Sequence, residues 1–354
     1  MTARELFRMT GVPVYQNKMF DSSDAAKGCP TGDIVLTQDM ESGLVFNAAY
    51  DQSLLSYDQS YQNEQGYSAI FQTHMNEVLR KIDLHFSDKR ILEVGCGKGG
   101  FLDLIRQRGH DAVGVDPAYE GDAPYIHKQH FDASIGIKAD AIVLRHVLEH
   151  IPQPLEFLHT IASANGGTGK IYIEVPCLEW IIRHRAWFDV FYEHVNYFRL
   201  SDFSRIFGTA HEMGHLFGDQ YIYVVADLAS LKSPVAGGNI DVVTFPQDFL
   251  RELDKCVEVA SHARNKVVWG AAAKGVMFSH HLASRHMPLD FAIDINPAKQ
   301  GKFLGGSSLP VLSPYIGLAR LSADDSVFVM NSNYIDEISD LGGSGLNYVP
   351  VDNR

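Results

Sequence analysis

With 354 residues, 45% of them hydrophobic and 21% charged, the chain has material for two domains and room for a small third module. Its formal net charge of −13, with no Lys/Arg-rich run, argues against a nucleic-acid partner, whose backbone binds clustered cations. The four cysteines (Cys29, Cys96, Cys177, Cys256) form no CxxC pair, so neither a disulfide scaffold nor a zinc site is expected. No apolar run reaches membrane-spanning length and no signal-like segment opens the chain, so a reduced cytoplasmic protein without a membrane partner is expected.

In chain order, residues 1–65 are rich in Asp, Ser, Gln and Tyr, with tyrosines clustered at Tyr50, Tyr57 and Tyr61, and read as a small N-terminal module. Over 66–82 the spacing of Ile70, Phe71, Met75, Val78, Leu79 and Ile82 predicts an amphipathic helix. Strands and helices then alternate. RILEVG predicts a strand, 99–108 a helix, DAVGVD a second strand and part of 125–131 a third. DAIVLR predicts a fourth strand, 155–164 a helix and GKIYIEVP a fifth strand. This rhythm calls for an α/β domain, a Rossmann-like parallel or mixed sheet covered on both faces. An aromatic-rich segment, LEWIIRHRAWFDVFYEHVNYFRL, precedes a helix from near Ser201 and a strand in QYIYVVADL, closing the domain at 66–232. Residues 233–247 read as a Pro/Gly-containing linker. The remainder, 248–354, reads as a second, smaller α/β domain, with a helix over 248–264 and strands in KVVWG, LDFAIDI and SVFVMN.

The run Glu93-Val94-Gly95-Cys96-Gly97-Lys98-Gly99-Gly100 lies between a predicted strand and helix, where glycines permit a tight turn and close approach to a ligand. The same letters satisfy GxGxxG (Gly95, Gly97, Gly100), so the glycines alone do not separate a dinucleotide from S-adenosylmethionine (SAM). Glu93, two residues before Gly95, suits a cofactor bearing an ammonium better than one bearing a pyrophosphate. Asp116 ends the second strand, where an acid accepts ribose hydroxyls of either cofactor. Asp132 follows the third strand, in position for an adenine amino group.

Taken together, ILEVGCGKGGFL, VGVDP, Asp132, AIVLRHVLEHIPQP and IYIEVP resemble, in order, the motifs of class I SAM-dependent methyltransferases. That resemblance assigns the cofactor to Glu93, Gly95, Cys96, Gly97, Asp116, Pro117, Asp132, Arg145 and His146. Farther on, FYEHVNYF, VVWGAAAKG, DINPAKQGKFLGGSSLPVLSP and NSNYIDEI resemble the sugar C-methyltransferases, which methylate C3 of nucleotide-linked 4-keto-deoxysugars. A carbon beside a ketone becomes nucleophilic when a base removes its proton, a task suited to a neutral imidazole near pH 7. The resemblance makes His194 that base, with Glu193 assisting, His150 as a second active-site histidine, and Tyr192 as a further catalytic candidate. Trp180, Trp187, Phe188 and Tyr197 read as core or cleft wall, with Tyr197 able to reach the substrate. Lys274, in the GAAAKG turn, is a candidate for a nucleotide phosphate at a helix N-terminus, and Asn333 and Tyr334 are candidates for the same cleft.

Two departures from that family stand out. FRMTG and MESGLVF occupy positions where it carries zinc-binding cysteines, leaving Cys29 alone. A tetrahedral zinc needs four ligands, so no metal is expected and packing must hold the module. Phe191 stands where a Tyr is usual, and lacks its hydroxyl. Three readings stay open: C-methylation of a nucleotide sugar, O-methylation of a sugar or other small molecule, and an NAD(P)-dependent oxidoreductase. The state expected is a monomer or homodimer.

Overall fold

The computed structural model describes residues 3–56, 66–232, 240–323 and 325–352. Tyr57 and Tyr61 of the tyrosine cluster, and 233–239 of the expected linker, lie outside the described residues.

The N-terminal module runs β1 (Ala3–Pro13), β2 (Met19–Phe20), α1 (Ser23–Lys27), β3 (Thr31–Asp39) and β4 (Val45–Asn47). β1 pairs antiparallel with β3, and β3 with β4. Met9, Val12, Ile34 and Leu36 are buried in one cluster with Trp187 and Phe188 of the next domain. Apolar packing therefore joins the module to its neighbour.

The central domain opens with α2 (Ala69–Phe86), whose buried Phe71, His74, Val78, Leu79, Ile82 and Phe86 recur at helical spacing. Then come β5 (Ile91–Val94), α3 (Gly100–Gln107), β6 (Ala112–Val115), β7 (Ile126–His127), β8 (Ala141–Arg145), α4 (Pro154–Ala164) and β9 (Lys170–Pro176). After α5 (Leu178–Arg183), β10 (Asn196–Tyr197) and α6 (Leu200–Ile206), the hairpin β11 (Ala210–Leu216) and β12 (Tyr221–Asp227) closes the sheet. Strand order is β11-β12-β9-β8-β5-β6-β7, with β12 antiparallel to both neighbours and the other pairs parallel. The chain runs outward from β5 to β7, then returns to β8 on the other side of β5. That reversal opens a crevice beyond the carboxyl ends of β5 and β8, where sheets of this kind bind ligands. β11 is absent from the sequence reading. Its AHEMGHL segment sits on a sheet edge, mostly accessible to solvent, and carries no alternation strong enough to mark a strand.

The C-terminal domain comprises α7 (Arg251–His262), β13 (Lys266–Trp269), α8 (Ala273–Ser284), β14 (Phe291–Ile293), β15 (Phe303–Leu304), β16 (Val311–Leu312), α9 (Pro314–Leu318), β17 (Ser326–Val329), α10 (Ile335–Gly342) and β18 (Asn347–Pro350). Its sheet is wholly parallel, in the order β16-β14-β13-β17-β18. Two pairings stitch the units together. β10 of the central domain adds to β4 of the N-terminal sheet, and β15 of the C-terminal domain pairs with β2.

Candidate active site

The turn after β5 is tight by necessity. Gly95 has φ +76°, and a Cβ there would lie 2.4 Å from Val147 Cγ2. Gly97, also left-handed, donates its N–H to Asp116 Oδ2 at 2.8 Å, while Ala118 N–H donates to Oδ1 at 2.8 Å. Asp116 thus fastens the turn to the end of β6. Glu93 is 3% exposed, and among the described residues its Oε2 has no hydrogen-bond partner. Burial pushes its carboxyl up to about 8, against the pull of Arg145 and with Asp116 and Asp103 adding to the rise.

Behind this turn lies an ionic network invisible to the motif reading. Glu174, in the middle of the sheet on β9, accepts from Tyr172 Oη at 2.8 Å and from Arg145 Nε at 3.2 Å, and pairs with His74 Nε2 at 2.8 Å. Burial opposes its charge, yet Arg145, His146 and His74 hold the carboxyl well below the usual range. Arg145 stacks its guanidinium 4.1 Å over the Phe101 ring, tying β8 to α3. His146 stands between Glu174 and Glu149. Burial works against its charge, and the two carboxylates outweigh it, raising the imidazole to about 9.

The segment after β9 divides its residues between two sides. Phe191 and His194 face the crevice, their rings 3.9 Å apart. His150 meets His194 edge-to-face at 4.9 Å and donates Nδ1–H to Glu193 O at 2.8 Å. His194 is 8% exposed, and its Nδ1 lacks a hydrogen-bond partner among the described residues. Burial, helped by His150, His146 and Lys274, holds its pKa well below the usual value, so the ring is neutral. Tyr192 and Glu193 point the other way. Tyr192 Oη accepts from Asp51 N–H at 2.8 Å and donates to Asp51 O at 3.3 Å. Glu193 Oε1 accepts from Gln16 N–H at 2.7 Å, and Glu193 N–H donates to Gln16 Oε1 at 3.1 Å.

The C-terminal domain supplies the opposite wall. Gly270 has φ +113°, and Gly275 packs so closely that a Cβ would meet Gly270 O at 1.9 Å. Ala271 N–H donates to Asp294 Oδ2 at 2.8 Å, and Lys299 Nζ lies 3.6 Å from that oxygen. Asn296 is 2% exposed, and among the described residues its Nδ2 has no hydrogen-bond partner. Lys274, at the start of α8, bonds Asp189 Oδ2 at 2.8 Å and Gln220 Oε1 at 3.4 Å. Gln220 and Asn331 exchange side-chain amide bonds at 2.8 and 2.9 Å across the domain boundary.

All these walls enclose one cavity of about 680 Å³. It brings together Glu93, Gly95, Cys96, Gly97, Arg145, His146, His150, His194, Lys274 and Tyr334 from the sequence candidates. The rest lie off its lining. Asp116 fastens the turn from behind, Pro117 is exposed, and the exposed Asp132 uses Oδ1 to accept from Ser134 N–H and Oγ–H. Four expectations are corrected. Tyr192 and Glu193 are turned into the N-terminal module. Tyr197 is buried with its hydroxyl on the Phe191 backbone, and Asn333 donates to Phe217 O at 3.1 Å instead of entering the cleft. Lining residues missed by the sequence reading include Glu149, Asp189, Gln220, Asn296, Lys299 and Asn331. Of these, Glu149 carried a signal, its place beside His150 in LEHIP.

Two family models match the chain: a methyltransferase domain over residues 67–210 and a C-methyltransferase C-terminal domain over residues 241–342. The chain is a class I SAM-dependent methyltransferase. This methyltransferase is 25% identical to the C-methyltransferase NovU of Streptomyces niveus, over 71% of this chain and 68% of that one. A ubiquinone biosynthesis O-methyltransferase of Schizosaccharomyces pombe is 27% identical over 28% of this chain and 42% of its own length. A solved SAM-dependent methyltransferase from Archaeoglobus fulgidus overlaps 45% of this chain at 18% identity, with a TM-score of 0.32. The oxidoreductase reading of GxGxxG falls with the first match.

SAM is the cofactor of this methyltransferase, and the residues around the first turn fit it. The buried Glu93 oxygen without a partner is matched by an ammonium. Gly97, left-handed, has open space where a Cβ would stand, so the backbone there is accessible to a ligand.

Proposed function

We propose that the enzyme methylates a carbon beside the ketone of a nucleotide-linked keto-deoxysugar, with His194 as the base that generates the enolate. One observation carries the reading. The glycine turn, the His150–His194 pair and the loops around Asn296 and Lys299 all line the same cavity, leaving space between them for an acceptor. When bound, SAM supplies an electrophilic methyl group on a sulfonium. The chain's own residues then do the remaining work. Glu93 and the turn orient the cofactor. The start of α8, with Lys274, Lys299 and the Asn296 amide, offers donors and positive charge for a diphosphate. His194, neutral and walled by Phe191, accepts the proton from the acceptor carbon in a position closed to bulk water. His150 orients that ring, its own Nδ1–H fixed on Glu193 O. Glu193 serves the reaction from a distance, through the Gln16 backbone that anchors the loop carrying His194.

Incubating the enzyme with a nucleotide-linked keto-sugar in D₂O, without SAM, tests the reading. His194 catalysis predicts deuterium uptake beside the ketone, lost in His194→Ala while SAM affinity stays within about twofold. Methyl transfer without any such exchange would point instead to O-methylation, which Phe191 favours because its ring offers no hydroxyl to an enolate oxygen.

A further inference from the structure

We propose that Glu149, His150 and His194 form a binding site for a divalent transition-metal ion of the Zn²⁺ class, set in the wall of the catalytic cavity. One ligand atom from each of the three lies within 4.8 Å of the other two. Ligands at tetrahedral positions on a zinc-sized ion stand about 3.4 Å apart, given bonds of about 2.1 Å, so the trio closes with its members drawing together by at most about 1.4 Å. The donor set, two imidazoles and one carboxylate, suits a borderline-soft ion and leaves a fourth position for water.

Three independent features prepare these atoms. Glu149 is 1% exposed, and neither of its carboxylate oxygens has a hydrogen-bond partner among the described residues. His146 Nδ1 approaches Oε1 only to 3.4 Å, an ion-pair distance that leaves Oε2 for a cation. The His146 imidazolium, shared with Glu174, answers that buried charge from the Oε1 side only. His194 adds a second buried, unpartnered atom, Nδ1. His150 donates Nδ1–H to the Glu193 carbonyl at 2.8 Å, which fixes the ring's direction, as outer partners do for metal-binding histidines. The opposing charges are His146 and Lys274, and Lys274 is already paired with Asp189 at 2.8 Å.

Occupancy carries a consequence that rests on the proposed function: a metal on His194 takes the lone pair the base needs. The ion then inhibits, competing with the acceptor and not with SAM.

The test is a titration of chelator-treated full-length enzyme with CoCl₂, read by the visible absorption of four- or five-coordinate Co²⁺. The site predicts one equivalent bound, displaced by ZnCl₂, and an affinity lowered at least about 100-fold in Glu149→Gln and in His150→Asn. A retained SAM-induced thermal shift certifies that each variant is folded, and His194→Asn serves if either is not. Absence of stoichiometric binding, or equal binding in the variants, overturns the proposal. So does a sulfur-to-cobalt charge-transfer band, which would put the ion on Cys177, Glu179 and His215, the other such cluster among the described residues. Zinc that binds at the trio without slowing turnover upholds the metal site and removes His194 from the role of base, so the two readings fail separately.

Discussion

The molecule builds the same device twice. In the central domain a glycine turn follows β5, and the N–H of Gly97 donates to Asp116 at the end of the next strand, at 2.8 Å. In the C-terminal domain a glycine turn follows β13, and the N–H of Ala271 donates to Asp294 at the end of β14, also at 2.8 Å. Both turns close on a helix N-terminus that faces the shared cavity. What differs is the charge placed around them. The first is flanked by Glu93, buried and answered only at a distance by Arg145, which favours a cationic amino acid end. The second is flanked by Lys274 and Lys299, each beside a carboxylate (Asp189 and Asp294), and by the buried Asn296 amide, donors that suit an anion. Glycines thus supply the turn, and the neighbouring charges choose the ligand.

Filling the turns breaks the comparison most severely. Gly275→Ala drives a Cβ into the Gly270 carbonyl, costing about 3 kcal/mol of stability. Gly95→Ala forces an L-residue into a left-handed backbone against Val147, costing about 2–5 kcal/mol. Denaturant melts should register both losses, with SAM-induced stabilisation lost only in the second. Next in size, Glu93→Gln should weaken SAM binding by about 1.5–3 kcal/mol, the worth of a charge-assisted hydrogen bond, and leave the acceptor KM unchanged. Lys299→Met should do the reverse, raising the acceptor KM about tenfold with SAM affinity intact, as judged by calorimetry beside steady-state rates. The smallest effect is on pH. The Glu93 carboxyl titrates near 8 when folded and near 4.5 otherwise, so across that window the folded state holds a proton the unfolded chain releases. Raising the pH from about 5 to 8 therefore removes stability from the ligand-free enzyme. Glu93→Gln should flatten that slope in thermal melts.

Much of this was legible in the residues. The first turn, its strand and helix, and the alternation of strands and helices along the central domain follow from apolar periodicity and glycine placement. Phe191 and His194 belong to a segment already marked by its aromatic run. What stayed hidden was direction. Nothing local says that Tyr192 and Glu193 turn away from the cavity, because the reason is distant: β10 pairs with β4, and Gln16 and Asp51 meet them from the N-terminal module. The same holds for Glu174, which looks like an interruption of an apolar strand until Arg145, opposite it in the ladder, and His74, from α2, are brought alongside. The N-terminal module supports the loop that carries His194, through apolar packing and a backbone anchored on Glu193.

Two ligands held at two turns of one cavity should bind without displacing each other. Isothermal titration of a nucleoside diphosphate into enzyme saturated with S-adenosylhomocysteine tests it directly. The expected result is binding with an affinity within about twofold of that without S-adenosylhomocysteine, and loss of it in Lys299→Met. Competition between the two, or nucleotide binding that disappears in Glu93→Gln instead, would contradict it.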